Sequence, residues 1–309
     1  MLLEAMVRCA YPEATLQMVV VLSGGCANLN VKIQLASQAT PLLLRVYLRD
    51  PEAALREQQL AFLLHTELPV PLTHYIGVLE GYHFAITDFL PGVPLRDLLL
   101  GPVPYDLGAV MFEVGQKLAT ISRHTFTSGG FLDTTLQVKA EAVLGILSVA
   151  KQCLDSENVK VVLTAEKRER IVFYLEKYQQ LLPSSEAHQL VHGDFDPANI
   201  LVDNVTGDWK VTGILDWEFA FSGSFLWDVA NMLRYSHQMP ERFEGAFLQG
   251  LTQGGIVLPQ GWQITIQLLN LIALLDCLER TQLKNCPKQC ADIEALVSHI
   301  LLDLKIQEE

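Results

Sequence analysis

The sequence predicts an α+β fold in which a small antiparallel β-sheet lobe with one helix precedes a larger, mainly helical lobe. Up to residue 90, short apolar runs alternate with turn residues, which is typical of strands. Beyond residue 92, apolar residues recur with the 3.6-residue period of helices. We therefore expect two domains, residues 1–90 and 91–309, and a cleft between them where a small ligand can bind.

The expected sheet has five strands, the last two of which form a hairpin. Glu80-Gly81 connects that last pair, and Gly81 can adopt the positive φ that a two-residue hairpin turn requires. The apolar runs predict strands at residues 16–22, 31–35, 42–48, 73–79 and 82–88.

Helices are predicted where prolines and helical periodicity mark their limits. In the first domain, residues 51–68 form one helix, with Leu55, Phe62 and Leu63 on a shared apolar face. In the second domain, helices are expected at residues 105–124, 136–154 and 165–182, followed by a short β segment and three more helices.

Composition excludes several classes of protein. Half of the residues are hydrophobic and 18% are charged, as in a compact globular chain. The net charge of −13 argues against nucleic-acid binding, which needs clustered Lys and Arg, and is compatible with a cationic substrate. The six cysteines are scattered, so we expect reduced thiols. No signal peptide or bilayer-spanning stretch is apparent, which favours the cytoplasm.

One cluster of polar residues carries the functional prediction. Asp194 stands two residues after His192 and five before Asn199, and Asp216 follows a strand-like run seventeen residues later. This H-x-D-x-x-x-x-N spacing with a downstream aspartate is typical of phosphoryl-transfer loops. We expect Asp194 to orient and deprotonate a substrate hydroxyl, and Asn199 and Asp216 to bind Mg²⁺ through hard oxygen atoms.

The nucleotide is expected to lie on the sheet side of the cleft. Paired glycines between the first two strands allow backbone N–H groups to approach phosphate oxygens, although an ordinary glycine turn is an alternative. Arg45 occupies the strand position of a phosphate-binding cation, and Glu57 is its expected ion-pair partner; an edge-strand charge and a solvated helix residue are the alternatives. The predicted nucleotide-binding residues are Ser23, Gly24, Gly25, Asn28, Arg45, Glu57, Asp88 and Leu90.

The acceptor side is less well defined by the sequence. Residues 192–219 are called the catalytic segment, and residues 192–199 within it the catalytic loop. Five residues are candidates because they lie in or near this segment or on a helix that could line the cleft: Trp217, Glu218, Asp276, Glu279 and Arg280. Asp228 is expected to support the backbone of the catalytic segment. A rival hypothesis makes His192, Asp194 and Asp196 ligands of a dinuclear phosphoesterase, but the further His and Asn clusters of such a site are missing downstream.

These motifs resemble the aminoglycoside phosphotransferase and choline kinase superfamily of small-molecule kinases. The resemblance spans most of the chain, and the catalytic loop and the Leu215-Asp216-Trp217-Glu218 block are its most specific parts. It implies a protein-kinase-like bilobal fold, ATP or GTP as donor, Mg²⁺, Asp194 as base, and a hydroxyl acceptor held by the helical lobe. Ser122, where the family commonly has His, and Gly223-Ser224-Phe225, where it has Gly-Asp-Pro, are departures.

Two functions follow from the sequence. The first is an ATP-dependent phosphotransferase acting on a hydroxyl of an aminoglycoside, a choline-like compound or another metabolite. The second is a catalytically silent nucleotide-binding or interaction module on the same fold, which the arginine at position 45 makes conceivable. Intact Asp194, Asn199 and Asp216 favour the enzyme.

Overall fold

A five-stranded antiparallel sheet forms the first part of the molecule in the computed structural model, which describes residues 2–22, 28–102, 105–139, 145–281 and 286–307. The spatial order is β1-β2-β3-β5-β4, and every neighbouring pair is antiparallel. Its strands are β1 (Leu16–Val21), β2 (Asn28–Leu35), β3 (Leu42–Tyr47), β4 (Thr73–Leu79) and β5 (Tyr82–Asp88). The five predicted strands are thus confirmed.

The β4–β5 hairpin turns at the predicted dipeptide. Glu80 has φ of 51° and Gly81 has φ of 82°. Two successive positive φ values match the right-handed twist of the flanking strands, and glycine reaches such values without strain.

Two helices lie against opposite faces of this sheet. Helix α1 (Leu2–Ala10), which the sequence did not indicate, buries Met6 and Val7 in an apolar cluster with the sheet. Helix α2 (Ala53–Leu64) lies within the predicted 51–68 range.

The apolar face predicted for α2 is wrong. Leu55, Phe62 and Leu63 are exposed, at 43%, 75% and 38% of their surface. Leu60 and Leu64 are buried instead, and buried alanines and an arginine share their side of the helix. Small residues are needed there because α2 packs against both the sheet and the segment that follows Asp216. A prediction based on hydrophobicity alone therefore chose residues on the solvent-facing side of α2.

The second part of the molecule is mainly helical. Its helices are α3 (Leu95–Leu100), α4 (Leu107–Ile121), α5 (Ile146–Asp155), α6 (Glu157–Val162), α7 (Ala165–Lys177), α8 (Leu226–Leu233), α9 (Arg242–Gln253), α10 (Trp262–Arg280) and α11 (Pro287–Ile306). Its short strands are β6 (Val93–Pro94), β7 (Gly130–Phe131), β8 (Gln189–Val191), β9 (Ile200–Val205), β10 (Asp208–Ile214) and β11 (Phe221–Gly223). The α+β prediction is confirmed.

Some predicted helix limits are wrong. The 136–154 helix begins only at Ile146, because Leu136 has φ of 61° and an isolated bridge joins Leu132 to Val138. The helix that starts at Ala165 ends at Lys177 rather than at residue 182. After the β segment, the described residues contain four α-helices rather than three, because the apolar stretch after β11 is divided between α8 and α9. No helix in the described ranges is both long enough and apolar enough to span a bilayer.

The tightest helix contact joins α4 and α9 and depends on glycines. A Cβ on Gly115 of α4 would lie 2.1 Å from the carbonyl oxygen of Phe247, and one on Gly250 of α9 would lie 1.9 Å from that of Phe112. The two backbones therefore touch, which brings Val114, Leu118 and Leu251 into one apolar cluster beneath the catalytic segment.

We predict that Gly250→Ala destabilises the protein by about 3 kcal/mol, because the new methyl group forces the packed helices apart. Gly245→Ala is the matched control on the same helix, since its Cβ would meet nothing within 4 Å. That control should raise stability by about 0.5 kcal/mol through the lower entropy of the unfolded chain. Thermal and urea unfolding of both variants measure the difference; equal midpoints would contradict the close packing.

Candidate active site

A β-hairpin brings the two expected metal ligands together. Asn199 immediately precedes β9, and Asp216 comes two residues after the end of β10. Because Ile200 and Ile214 are paired across these antiparallel strands, the start of one strand and the end of the other share an edge. The backbone N–H of Leu215 donates to the carbonyl oxygen of Asn199 at 2.9 Å, which fixes this approach.

Asp194 and Asn199 are in direct contact. The amide nitrogen of Asn199 donates to the backbone oxygen of Asp194 at 2.9 Å and to its carboxylate oxygen Oδ2 at 2.8 Å. Both hydrogen atoms of the amide are thereby used, and Oδ1 of Asn199 accepts from no described donor. An oxygen atom in this position suits a hard cation, so the donor set fits Mg²⁺.

The carboxyl group of Asp194 is a stronger proton acceptor than a solvated aspartate. Burial, then the nearby negative charges of Asp196 and Asp216, raise its pKa to about 6, against opposing effects of Asn199 and Arg234. A base with a pKa near neutrality combines a large ionised fraction with useful basicity.

Asp228 holds the catalytic loop from below, as expected. Its two carboxylate oxygens accept the backbone N–H groups of His192 and Gly193 at 2.7 and 3.0 Å. Asp228 is fully buried, and this burial raises its pKa to about 7. Gly193 has φ of 84°, and a Cβ there would lie 2.4 Å from the carbonyl oxygen of Phe219. Only glycine allows this close approach.

His192 has a structural role. Its ring nitrogen Nε2 lies 2.9 Å from the carbonyl oxygen of Leu215, and its ring centroid lies 4.4 Å from that of Trp217. Burial lowers the pKa of His192 to about 4, so the imidazole is neutral. Nδ1 accepts the N–H of Asp194 at 3.2 Å. With both nitrogens engaged by the backbone, His192 is not the metal ligand that the phosphoesterase hypothesis requires.

Arg45 links the sheet to the catalytic segment. Its Nη2 lies 2.5 Å from Oδ1 of Asp216, and its Nη1 lies 3.6 Å from Oε1 of Glu57, the expected partner. Tyr47 donates to the other oxygen of Glu57 at 2.5 Å. Burial disfavours the charged guanidinium, but Glu57 and Asp216 outweigh this effect, so the pKa of Arg45 is raised. The arginine stays charged at the point where nucleotide phosphates are expected.

The family model described as the phosphotransferase enzyme family, APH, matches residues 19–264, which include the sheet, the catalytic loop and the Asp216 segment. The chain belongs to this family. The resemblance inferred from the motifs is thus confirmed, and the protein is a member of a phosphotransferase family. No curated protein matches the chain in sequence.

Solved structures with the same fold include aminoglycoside phosphotransferases. A thermostable mutant of APH(4)-Ia, in ternary complex with AMP-PNP and hygromycin B, has a TM-score of 0.72 and 20% identity, and the alignment covers 97% of this chain and 98% of that one. An APH(2") enzyme with GDP and kanamycin has a TM-score of 0.67 and 17% identity, covering 99% of both chains. A putative aminoglycoside phosphotransferase from Ralstonia eutropha has a TM-score of 0.68 and 15% identity, covering 97% and 98%. At such identities the likeness establishes the fold: the kinase-like fold of this phosphotransferase family.

Of the other residues expected to bind nucleotide in this phosphotransferase, three lie outside the described part of the chain and two have partners within the protein. Ser23, Gly24 and Gly25 lie outside the described residues. Asn28 is buried and bonds Glu218. The carboxylate of Asp88 accepts the backbone N–H of Leu72 and bonds His74; it therefore ties the end of β5 to the start of β4 and to the residue before that strand.

Leu90 packs against the β9–β10 hairpin. A Cβ on Gly213 of β10 would be 3.1 Å from Cδ1 of Leu90 and 2.9 Å from Cδ1 of Leu201. The connector is fixed here as well, since the Thr212 hydroxyl donates to the carbonyl oxygen of Pro91 at 2.8 Å. Apolar side chains from the segment after β5 and from the β9–β10 hairpin thus meet at this point.

Two of the expected acceptor residues, Trp217 and Glu218, are buried. Trp217 is 4% exposed, and its indole N–H donates to the carbonyl oxygen of Ile214 at 3.1 Å, so it is a core residue. Glu218 is 8% exposed and accepts from Asn28 at 2.6 Å. Its carboxylate faces the first sheet. The turn Trp217–Phe219 that follows the left-handed Asp216 sends these side chains inward, which sequence proximity did not reveal.

The three candidates on α10 form one polar group at the end of that helix. Arg280 pairs with Asp276, and its guanidinium carbon lies 6.0 Å from the ring centroid of Phe219, beside the catalytic segment. Glu279 instead accepts the thiol of buried Cys153 on α5 at 3.1 Å. Arg280 therefore lies beside the catalytic segment, whereas the carboxylates of Asp276 and Glu279 and the thiol of Cys153 lie within 4.8 Å of one another.

Several buried polar residues that position the site were not among the sequence candidates. Asn231 donates to the carbonyl oxygen of Gly193 at 3.0 Å and accepts from Arg234. Arg234 also donates to Asn270 at 2.9 Å. Arg56 donates to the carbonyl oxygen of Glu218 at 2.9 Å. Polar side chains on the apolar stretches of α8 and α10 were the available signal, because a buried polar group needs a specific partner.

We predict that Asp228→Asn destabilises the fold by about 3 kcal/mol, because the new amide NH₂ would face one of the two backbone N–H donors inside a dry pocket. Asp208→Asn is the control, since Asp208 is an exposed strand residue. Urea unfolding gives the free energies of unfolding. Equal losses for the two variants would show that Asp228 does not anchor the loop.

Proposed function

We propose that this protein is a kinase that transfers the γ-phosphate of ATP or GTP to a hydroxyl group of a small molecule. The observation that carries the proposal is the direct Asp194–Asn199 contact beside an Asp216 that is paired to Arg45. A base, two hard-oxygen ligands and a phosphate-binding cation are the parts that phosphoryl transfer needs. Nucleotides in the structures of similar proteins support the donor: AMP-PNP, ADP and GDP.

In the proposed reaction, the acceptor hydroxyl oxygen attacks the γ-phosphorus while its proton passes to the Asp194 carboxylate. The new bond joins that oxygen to the γ-phosphorus, and the bond to the β,γ-bridging oxygen breaks. The raised pKa of Asp194 suits a base that accepts the proton late in the transfer. Asp228, through the backbone of residues 192–193, keeps this carboxylate in place.

Magnesium is the proposed cation, held by Asn199 and Asp216. It would neutralise charge on the phosphates when bound. The free Oδ1 of Asn199 and the second carboxylate oxygen of Asp216 are the donors available in this chain. Arg45 adds a second positive group from the sheet side, and its planar fork can contact phosphate through two nitrogen atoms.

The division of labour follows the two parts of the chain. We assign nucleotide binding to residues 1–90 and the acceptor to residues 91–309. The carboxyl of Asp276, whose pKa is raised by burial, and the guanidinium of Arg280 are the acceptor contacts we favour. Aminoglycosides, choline-like compounds and other hydroxylated metabolites are the candidate acceptors; hygromycin B and kanamycin are ligands of similar proteins.

We predict that Asp194→Ala lowers kcat by at least about 100-fold, because general-base assistance and hydroxyl orientation are lost together. The measurement is transfer of the γ-phosphate from labelled ATP and GTP across a panel of aminoglycosides, amino alcohols and sugars. Asp208→Asn, an exposed aspartate, should leave the rate unchanged. Nucleotide binding by the wild-type protein without transfer across the panel would instead favour a silent nucleotide-binding module.

We also predict that Asn199→Ala raises the Mg²⁺ concentration for half-maximal turnover by at least about tenfold, because one of two protein ligands is removed. Chelation by EDTA should abolish turnover of the wild-type protein. Asn204→Ala, at the exposed end of β9, is the matched control. An unchanged Mg²⁺ requirement in Asn199→Ala would remove this residue from the metal site.

A further inference from the structure

We propose that Glu218 is a positioning residue that holds the Arg45 guanidinium for the nucleotide phosphates, and that this pairing requires an arginine on β3. The inference rests on the proposed function. It concerns a buried carboxylate that the proposed reaction does not use.

Three carboxylates surround the one guanidinium. Arg45 is 7% exposed. Its Nη1 faces Glu57 at 3.6 Å, while its Nη2 faces both Asp216, at 2.5 Å, and Glu218, at 3.4 Å. The negative groups thus lie at two different ends of the fork. A planar group with separated N–H donors can reach both ends, whereas an ammonium is a single point of charge.

Glu218 is fixed independently of Arg45. Its Oε2 accepts the amide of Asn28 at 2.6 Å, and the orientation of that amide is set because its oxygen accepts the N–H of Leu48 at 3.3 Å. The backbone oxygen of Glu218 accepts from Arg56 at 2.9 Å, and Arg56 in turn pairs with Asp50 at 2.6 Å. Side chain and backbone are therefore both tied to residues of the first sheet and α2.

This arrangement gives Glu218 a specific task. Asp216, the nearest partner of Nη2, is also a proposed cation ligand, so its negative charge is shared once a cation is bound. Among the described residues, Glu218 is the remaining carboxylate close to the same nitrogen. It keeps the Nη2 end of the fork in place while Glu57 keeps the Nη1 end. The single ammonium group of a lysine at position 45 could pair either with Glu57 or with Glu218, but not with both.

The test is a double-mutant cycle on nucleotide affinity, measured by titration of a fluorescent ADP analogue at saturating Mg²⁺, the condition in which Asp216 is shared with the cation. The variants are Arg45→Lys, Glu218→Gln and the two combined. We expect each single variant to weaken binding by about tenfold and the double variant to weaken it little further, because both break the same pairing. Glu176→Gln, which removes the carboxylate of an exposed ion pair with Lys151, is the control and should bind as the wild type does.

Independent effects that multiply to about 100-fold in the double variant would overturn the proposal. It would also be overturned if Glu218→Gln left the affinity at saturating Mg²⁺ unchanged and altered only the Mg²⁺ concentration required, since Glu218 would then be a further metal ligand. Melting temperatures of the ligand-free variants test a third outcome. If Glu218→Gln lowers affinity only because the variant is partly unfolded, Glu218 stabilises the contact between the lobes and the proposal is overturned. A wild-type protein that binds no nucleotide would refute the proposed function itself.

Discussion

The contact between Arg45 and Asp216 is the interaction on which the architecture of the site depends. It joins a residue in the middle of the first sheet to the residue that ends the β9–β10 hairpin, 171 positions later. A buried guanidinium is costly unless carboxylates surround it, and an acidic cluster is costly without a cation. The guanidinium and the carboxylates therefore stabilise each other only when the sheet and the catalytic segment are correctly positioned against one another. Asn28 and Arg56 strengthen the same junction through Glu218.

A second polar network fixes the catalytic loop from the helical side. Asp228 and Asn231 of α8 bond three backbone groups of residues 192 and 193, and Arg234 and Asn270 extend the network to α10. Since these groups are buried, leaving any of them unpaired would cost more than the bond itself contributes. These bonds hold the loop in the conformation in which Asp194 contacts Asn199. Membership of the phosphotransferase family accounts for why such a loop is present.

Most of the fold was predictable because it follows from local pattern. Alternating apolar runs and a Glu80-Gly81 turn were enough for the five strands and the hairpin. The errors occur where tertiary contacts override local preference. On α2 the larger apolar side chains face solvent, because the buried face had to carry alanines and Arg56. The helix expected from residue 136 gives way to a bridge between residues 132 and 138, with a left-handed residue between them.

For the proposed site, the sequence by itself determined which residues are the candidates: the spacing of Asp194, Asn199 and Asp216 is a local property of one loop and one hairpin. Only the tertiary structure decided the direction of side chains whose partners are distant in sequence. Trp217 and Glu218 point into the molecule, and Glu279 turns to Cys153, although all three are near the catalytic segment or on a helix beside it. Spacing fixes distance along the chain, but the orientation of a buried polar group is set by whichever partner satisfies it after folding.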